Sequence, residues 1–146
     1  MRDKDIIKLY EEHEIPQLAD ELVSLVRVGN IVHLQGEIGI GKTVLVRRIV
    51  QALYNDSSFL VKSPTFSIVE EYPEIGVAHF DFYRLEEGDQ VEFLDPERYS
   101  KMLCLVEWPE KAPEFLKKPD IVVTIQYVDT HTRKISLILK DSLSTG

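Results

Sequence analysis

Apolar positions along the chain switch between helical and strand spacing. From Ile15 to Arg27, Leu18, Leu22, Val23 and Val26 form a helical stripe, with Pro16 suited to a first turn and Gly29 closing the helix. Asn30–Gln35 (NIVHLQ) then reads as a short buried strand. Val44, Leu45, Ile49, Val50 and Leu53 resume helical spacing, and Asn55–Ser58 is turn-like. Alternation in Ser67-Ile68-Val69 and in Val77–Phe82 predicts two strands, within Ser63–Tyr72 and Val77–Leu85, paired as a hairpin across Pro73–Gly76. Glu92–Tyr99 predicts a short helix interrupted by Pro96. Met102–Trp108 (MLCLVEW) predicts a strand covered on both faces, and Glu110–Leu116 another short helix. Ile121–Tyr127 and Lys134–Leu139 predict a final antiparallel pair joined through Asp129–Thr132. The sum is one three-layer α/β domain over residues 1–146, its mixed sheet partly parallel with antiparallel additions.

Composition narrows the setting. A chain of 146 residues holds enough apolar content for a single core. It has no run of about 18 apolar residues, so no membrane span is expected. The N-terminal MRDKDIIKLYEEHEI is too charged for a secretory signal. Cys104, the single cysteine, lies within the apolar MLCLVEW and reads as a buried small residue, which fits a reduced, cytoplasmic compartment. A formal net charge of -8 argues against a protein that holds nucleic acid by its phosphates. Contact with nucleic acid is expected to be local or carried by a partner.

Between the predicted strand and helix stands GEIGIGKT, Gly36–Thr43, which matches the phosphate-loop pattern G-x-x-x-x-G-K-[ST]. Glycine at 36, 39 and 41 permits close backbone approach, so that successive N–H groups line a concavity for phosphate oxygens. Lys42 supplies a mobile positive charge for the outer phosphates, and the Thr43 hydroxyl is placed to ligate Mg2+. The whole loop, Gly36, Glu37, Ile38, Gly39, Ile40, Gly41, Lys42 and Thr43, is the candidate nucleotide cradle. Strand, glycine loop and helix is the order this P-loop NTPase-like mechanism requires.

Hydrolysis needs a magnesium-linked carboxylate and a group to orient water. Asp81 and Glu107 each follow an apolar strand, where ligands of such sheets bind, and spacing alone leaves open which acid serves which role. With Lys42 they are the catalytic candidates. Ser63-Pro64-Thr65-Phe66 resembles a switch segment whose hydroxyl senses the terminal phosphate. Trp108 covers the site, meets a partner or is simply a core aromatic, and His79 reads as a packed or hydrogen-bonded strand residue. No N-K-x-D string selects guanine, so adenine is the default and ATP the expected nucleotide. On these residues alone an ATPase subunit, a small-molecule kinase and a nucleotide-sensing module all stay open. Acids at two strand ends favour an enzyme, and the absence of an arginine-rich lid disfavours a kinase.

Five strings, GEIGIGKT, SPTFSIVEEY, HFDFYRLEE, VEFLD and LVEWPE, stand in the order and spacing of the bacterial TsaE family, and the resemblance covers nearly the whole chain. It implies an ATPase, slow alone, that acts with the TsaD and TsaB proteins in threonylcarbamoyladenosine (t6A) modification of tRNA. In that role it resets their complex between rounds and meets tRNA only through it. By position, Gly39–Thr43 would bind phosphates and Thr43 with Glu107 would hold Mg2+, directly or through water. Asp81 would be a catalytic or metal-linked acid, Thr65 the switch hydroxyl, and Trp108 a residue near nucleotide and partner. A basic residue of the last hairpin, Arg133 or His131, would reach the nucleotide. Glu37 and Ile40 replace the aspartate and alanine often found in the family's loop, positions on which phosphate binding does not depend. A threonine commonly found near the adenine is replaced around Glu12–Ile15.

Overall fold

The computed structural model describes residues 4–37, 39–62, 68–86, 94–116 and 118–140. Within them the chain runs β1 (Lys4–Glu11), α1 (Ile15–Leu25), β2 (Ile31–Gln35), α2 (Lys42–Tyr54), β3 (Val69–Tyr72), β4 (Val77–Asp81), α3 (Pro96–Tyr99), β5 (Leu103–Glu107), β6 (Ile121–Tyr127) and β7 (Thr132–Leu139). The seven strands form one sheet in the order β1-β7-β6-β2-β5-β4-β3. Its centre, β4-β5-β2-β6, is parallel, whereas β3, β7 and β1 add antiparallel edges. This is the mixed α/β class the sequence predicts.

The period-two alternation of the central strands divides the core. Val32, Leu34, Leu103, Leu105, Ile121 and Val123 face α1 and α2, whose Leu18, Leu22, Leu45 and Ile49 close that layer. Ala78, Phe80, Cys104 and Val106 point the other way, onto Tyr99, Ala112 and Phe115. Phe80 meets Tyr99 and Phe115 edge to face, with ring centres 4.9 and 5.2 Å apart. Among the described residues the second covering layer is therefore built from one short helix and turns. All five residues of β5 are buried, as expected for a strand covered on both faces.

Three differences from the expectations have local causes. Pro96 begins α3 instead of interrupting a helix: Asp95 caps it by accepting the Glu97 N–H at 3.0 Å, and proline at the first helical position needs no donor. The helix expected over Glu110–Leu116 reduces to a single 3-10 turn, Pro109–Lys111. Pro113 disfavours a helical Ala112, and Leu116 turns left-handed at φ 49°. The charged N-terminal segment forms the edge strand β1, paired along β7 from Lys4↔Leu139 to Glu11↔Thr132. Among the described residues no helix is long and apolar enough to cross a membrane.

Candidate nucleotide-binding site

The four central parallel strands all end at one edge of the sheet, and the phosphate-loop motif leaves β2 at that edge. Gly36 has φ 153°, and a Cβ there would lie 2.8 Å from the Ile125 carbonyl oxygen and 2.9 Å from Ile40 Cγ2. Only glycine lets the loop lie this close to β6. Gly41 caps α2 at φ 123°, a conformation costly for any side chain. Leu45 N–H donates to the Gly41 carbonyl at 2.9 Å and starts the helical ladder.

The last hairpin braces the loop from behind. Arg133, 6 % exposed, donates through Nε to the Ile40 carbonyl at 3.4 Å and through Nη1 to the carbonyls of Asp129, Thr130 and Thr132 at 3.2–3.3 Å. Its guanidinium lies 4.4 Å from the centre of the Tyr127 ring, and the Tyr127 hydroxyl donates to the Gly39 carbonyl at 3.4 Å. His131 is exposed, and its carbonyl accepts the Glu12 N–H at 2.8 Å.

Lys42, 4 % exposed, folds back on the loop. Its ammonium donates to the Gly36 carbonyl and sits 3.6 Å from the centre of the Trp108 ring. Burial holds its pKa below the ordinary lysine value, opposed by the charges of Glu107, Glu110 and Asp81. Trp108 has φ 56°, a left-handed conformation rare for a large side chain. That turn follows directly on β5, and the indole packs against Tyr83 with ring centres 5.0 Å apart.

The acids converge where the sequence placed them. Asp81 and Glu107 are direct register partners across β4 and β5, so both face α2. The Thr43 hydroxyl donates to Glu107 Oε1 at 3.2 Å, and His79 Nε2 lies 2.5 Å from Glu107 Oε2. Asp81 Oδ1 accepts the Tyr83 N–H at 3.0 Å. Burial pushes the Asp81 carboxyl above its ordinary value; the Tyr83 N–H opposes this and the charge of Glu107 adds to it. Gly39, Gly41, Lys42, Thr43, Asp81, Glu107, Tyr83 and Trp108 line one open cleft of about 180 Å³. A hydroxyl and two carboxylates are hard oxygen donors, a set that suits Mg2+.

The structure thus brings together Gly39, Gly41, Lys42, Thr43, Asp81, Glu107 and Trp108. Gly36, Glu37 and Ile40 line a second opening that Trp108 also borders. Ile38 and the switch segment with Thr65 lie outside the described residues. Tyr83 gained a part that the sequence did not announce, and His79, expected to be packed or hydrogen-bonded, gained its partner. Tyr83 joins the aromatic wall; its only signal was its place two residues beyond Asp81. His79 bonds the key glutamate, and the pairing of β4 with β5 puts it on that acid's face.

Fold and site together define a P-loop NTPase-like α/β domain. The family model for "Threonylcarbamoyl adenosine biosynthesis protein TsaE" matches residues 9–135, and the chain belongs to that family. It is 40 % identical over 117 residues to the tRNA threonylcarbamoyladenosine biosynthesis protein TsaE of Haemophilus influenzae, covering 77 % of this chain and 72 % of that one. The namesake in Aquifex aeolicus is 32 % identical over 139 residues, 94 % of this chain and 97 % of its own. Among solved structures, Bacillus subtilis YdiB superposes with a TM-score of 0.75 at 21 % identity, covering 99 % of this chain and 95 % of its own, a likeness of fold.

Proposed function

We propose that this protein is a Mg2+-dependent ATPase that serves t6A modification of tRNA, working in the cytoplasm with the TsaD and TsaB proteins. The observation that carries the reading is the Thr43–Glu107 contact at 3.2 Å beside Lys42, at the mouth of a glycine loop. The relatives named for this biosynthesis supply the pathway.

The chain's own groups divide the work. Backbone N–H groups of Gly39–Thr43 and the start of α2 cradle the phosphates. Lys42 leaves the Gly36 carbonyl and the Trp108 ring to meet the outer phosphate oxygens. Thr43 and Glu107 would hold Mg2+, which when bound neutralises charge developing on the β- and γ-phosphate oxygens. Asp81 orients the attacking water and takes its proton as the water oxygen bonds to the γ-phosphorus. The bond to the β–γ bridging oxygen breaks, leaving ADP and phosphate. The raised pKa of Asp81 suits it to this acceptor role.

A net charge of -8 gives the protein little attraction for a polyanion, so tRNA is met through the partners. Hydrolysis by this chain resets their complex between rounds. The test is ATP turnover by this protein alone, with a purified TsaD–TsaB pair, and with the pair plus tRNA. Slow turnover alone and clear stimulation by the pair are expected; turnover indifferent to the pair would contradict the assignment.

A further inference from the structure

Glu107 has two carboxylate oxygens and, among the described residues, two side-chain donors. The Thr43 hydroxyl reaches Oε1 at 3.2 Å from the loop side, with Oε2 3.5 Å away. His79 reaches Oε2 at 2.5 Å from β4. The glutamate is 2 % exposed and the histidine 1 %, so bonds, and not bulk water, set the orientation of this carboxylate. A carboxylate only accepts, so Nε2 carries the hydrogen. The opposite ring nitrogen, Nδ1, is buried and has no hydrogen-bond partner among the described residues.

Burying a polar nitrogen without a partner costs stability that an aromatic hydrocarbon at the same place would not. The imidazole's return for that cost is its bond to Glu107. Register makes the bond possible. His79 pairs with Leu105, two residues before Glu107, so imidazole and carboxylate emerge on the α2 face as diagonal neighbours.

We infer that His79 is a positioning residue. It occupies Oε2 and keeps Oε1 turned to Thr43, the arrangement in which threonine and glutamate can share one Mg2+. The inference rests on the Mg2+·ATP reading given above and adds to it the group that aims the glutamate. Losing such an outer partner of a metal-binding carboxylate typically weakens metal affinity about 10- to 100-fold.

The experiment is calorimetric titration with the β,γ-imido analogue of ATP, in EDTA and in excess Mg2+. The quantity read is the Mg2+-linked gain in affinity. If the parent protein shows no such gain, the Mg2+·ATP reading fails and this inference falls with it. Given a gain in the parent, His79→Phe should lose it by about 10-fold or more while keeping its affinity in EDTA. His79→Gln, whose amide nitrogen reaches about as far as Nε2, should restore it. The shorter His79→Asn should not, and this polar pair gives the answer even if the phenylalanine variant does not fold. A gain retained in His79→Phe or His79→Asn overturns the inference, as does a gain lost in a His79→Gln that still binds the analogue in EDTA.

Discussion

The ammonium of Lys42 rests 3.6 Å from the centre of the Trp108 ring, held by a left-handed turn of the chain at the end of β5. A cation over an indole face is stabilised by about 0.5–2 kcal/mol, depending on how far it is removed from water. In the proposed reading phosphate oxygens and the indole compete for one charge, and nucleotide binding is expected to part the pair. Trp108 is the single tryptophan of the chain, so intrinsic fluorescence reports the event without a label. Adding ATP should change the emission, with saturation matching the binding isotherm. Unchanged emission at saturating nucleotide would mean that Lys42 never leaves the ring.

Asp81 faces Glu107 from a half-buried strand end, and its partial burial raises its pKa. A raised acid contributes stability that is present below its ordinary pKa and lost as pH rises through the higher folded value. At neutral pH the ionised Asp81 carboxylate is therefore a cost to the fold. Asp81→Asn keeps an acceptor for the Tyr83 N–H and removes that cost. Its Tm should exceed the parent's at pH 7–8, and the difference should shrink towards pH 4. Turnover should be lost at every pH. A variant less stable than the parent at pH 8 would refute this account of Asp81.

Arg133 satisfies its buried guanidinium with backbone carbonyls, one of them Ile40 inside the phosphate loop. The geometry makes it a brace for the loop in the form described here. Arg133→Met should cost about 0.5–1.5 kcal/mol of stability, the usual net worth of a hydrogen bond. Ile40 is the buried acceptor, and the carbonyls of exposed Asp129 and Thr130 can turn to water. Amide exchange over residues 36–41 should rise more than over β4. Denaturant unfolding and hydrogen exchange measure the two effects.

On the opposite face of the sheet, His33 ties β2 to the turn segment through Nε2, 2.8 Å from the Leu116 carbonyl. Burial lowers its pKa, more than the Leu116 bond and Glu110 raise it. A histidine with a lowered folded pKa stabilises fully above its unfolded value and loses that contribution as pH falls through the folded one. Tm should therefore drop as pH falls below the ordinary histidine value of about 6.5. His33→Gln should flatten that part of the profile, which thermal scans across the range will show.

The parts of this molecule legible in its sequence are those set by local chemistry. The glycine loop, the helical stripes of α1 and α2, and the acids closing two apolar strands each depend on neighbours a few residues away. Alternation puts His79 and Asp81 on one face of β4, and it is the pairing with β5 that brings Glu107 to that face. The edge strand β1 was hidden because Tyr10 is its one buried residue and Ile6 is only half-buried, while Ile7 and Leu9 are exposed and lysine and acid fill the other positions. Its identity comes from pairing with β7, more than a hundred residues away. Pro96 and Pro113 carried opposite meanings, one as a helix start and one as a block, and capping by Asp95 separates them. The brace from Arg133 to Ile40 crosses the sheet edge and has no local signature.

The central claim is that the cleft between the glycine loop and the ends of β4 and β5 grips the phosphates of ATP beside Mg2+. Calorimetric titration of the β,γ-imido ATP analogue in Mg2+ tests it most directly, run on the parent, Lys42→Ala and Glu107→Ala. One binding event is expected for the parent. Removing the lysine should weaken it roughly 10- to 100-fold, as for loss of a charge-assisted bond. The glutamate variant should bind but show little response to Mg2+. Equal affinity in parent and Lys42→Ala would contradict the account.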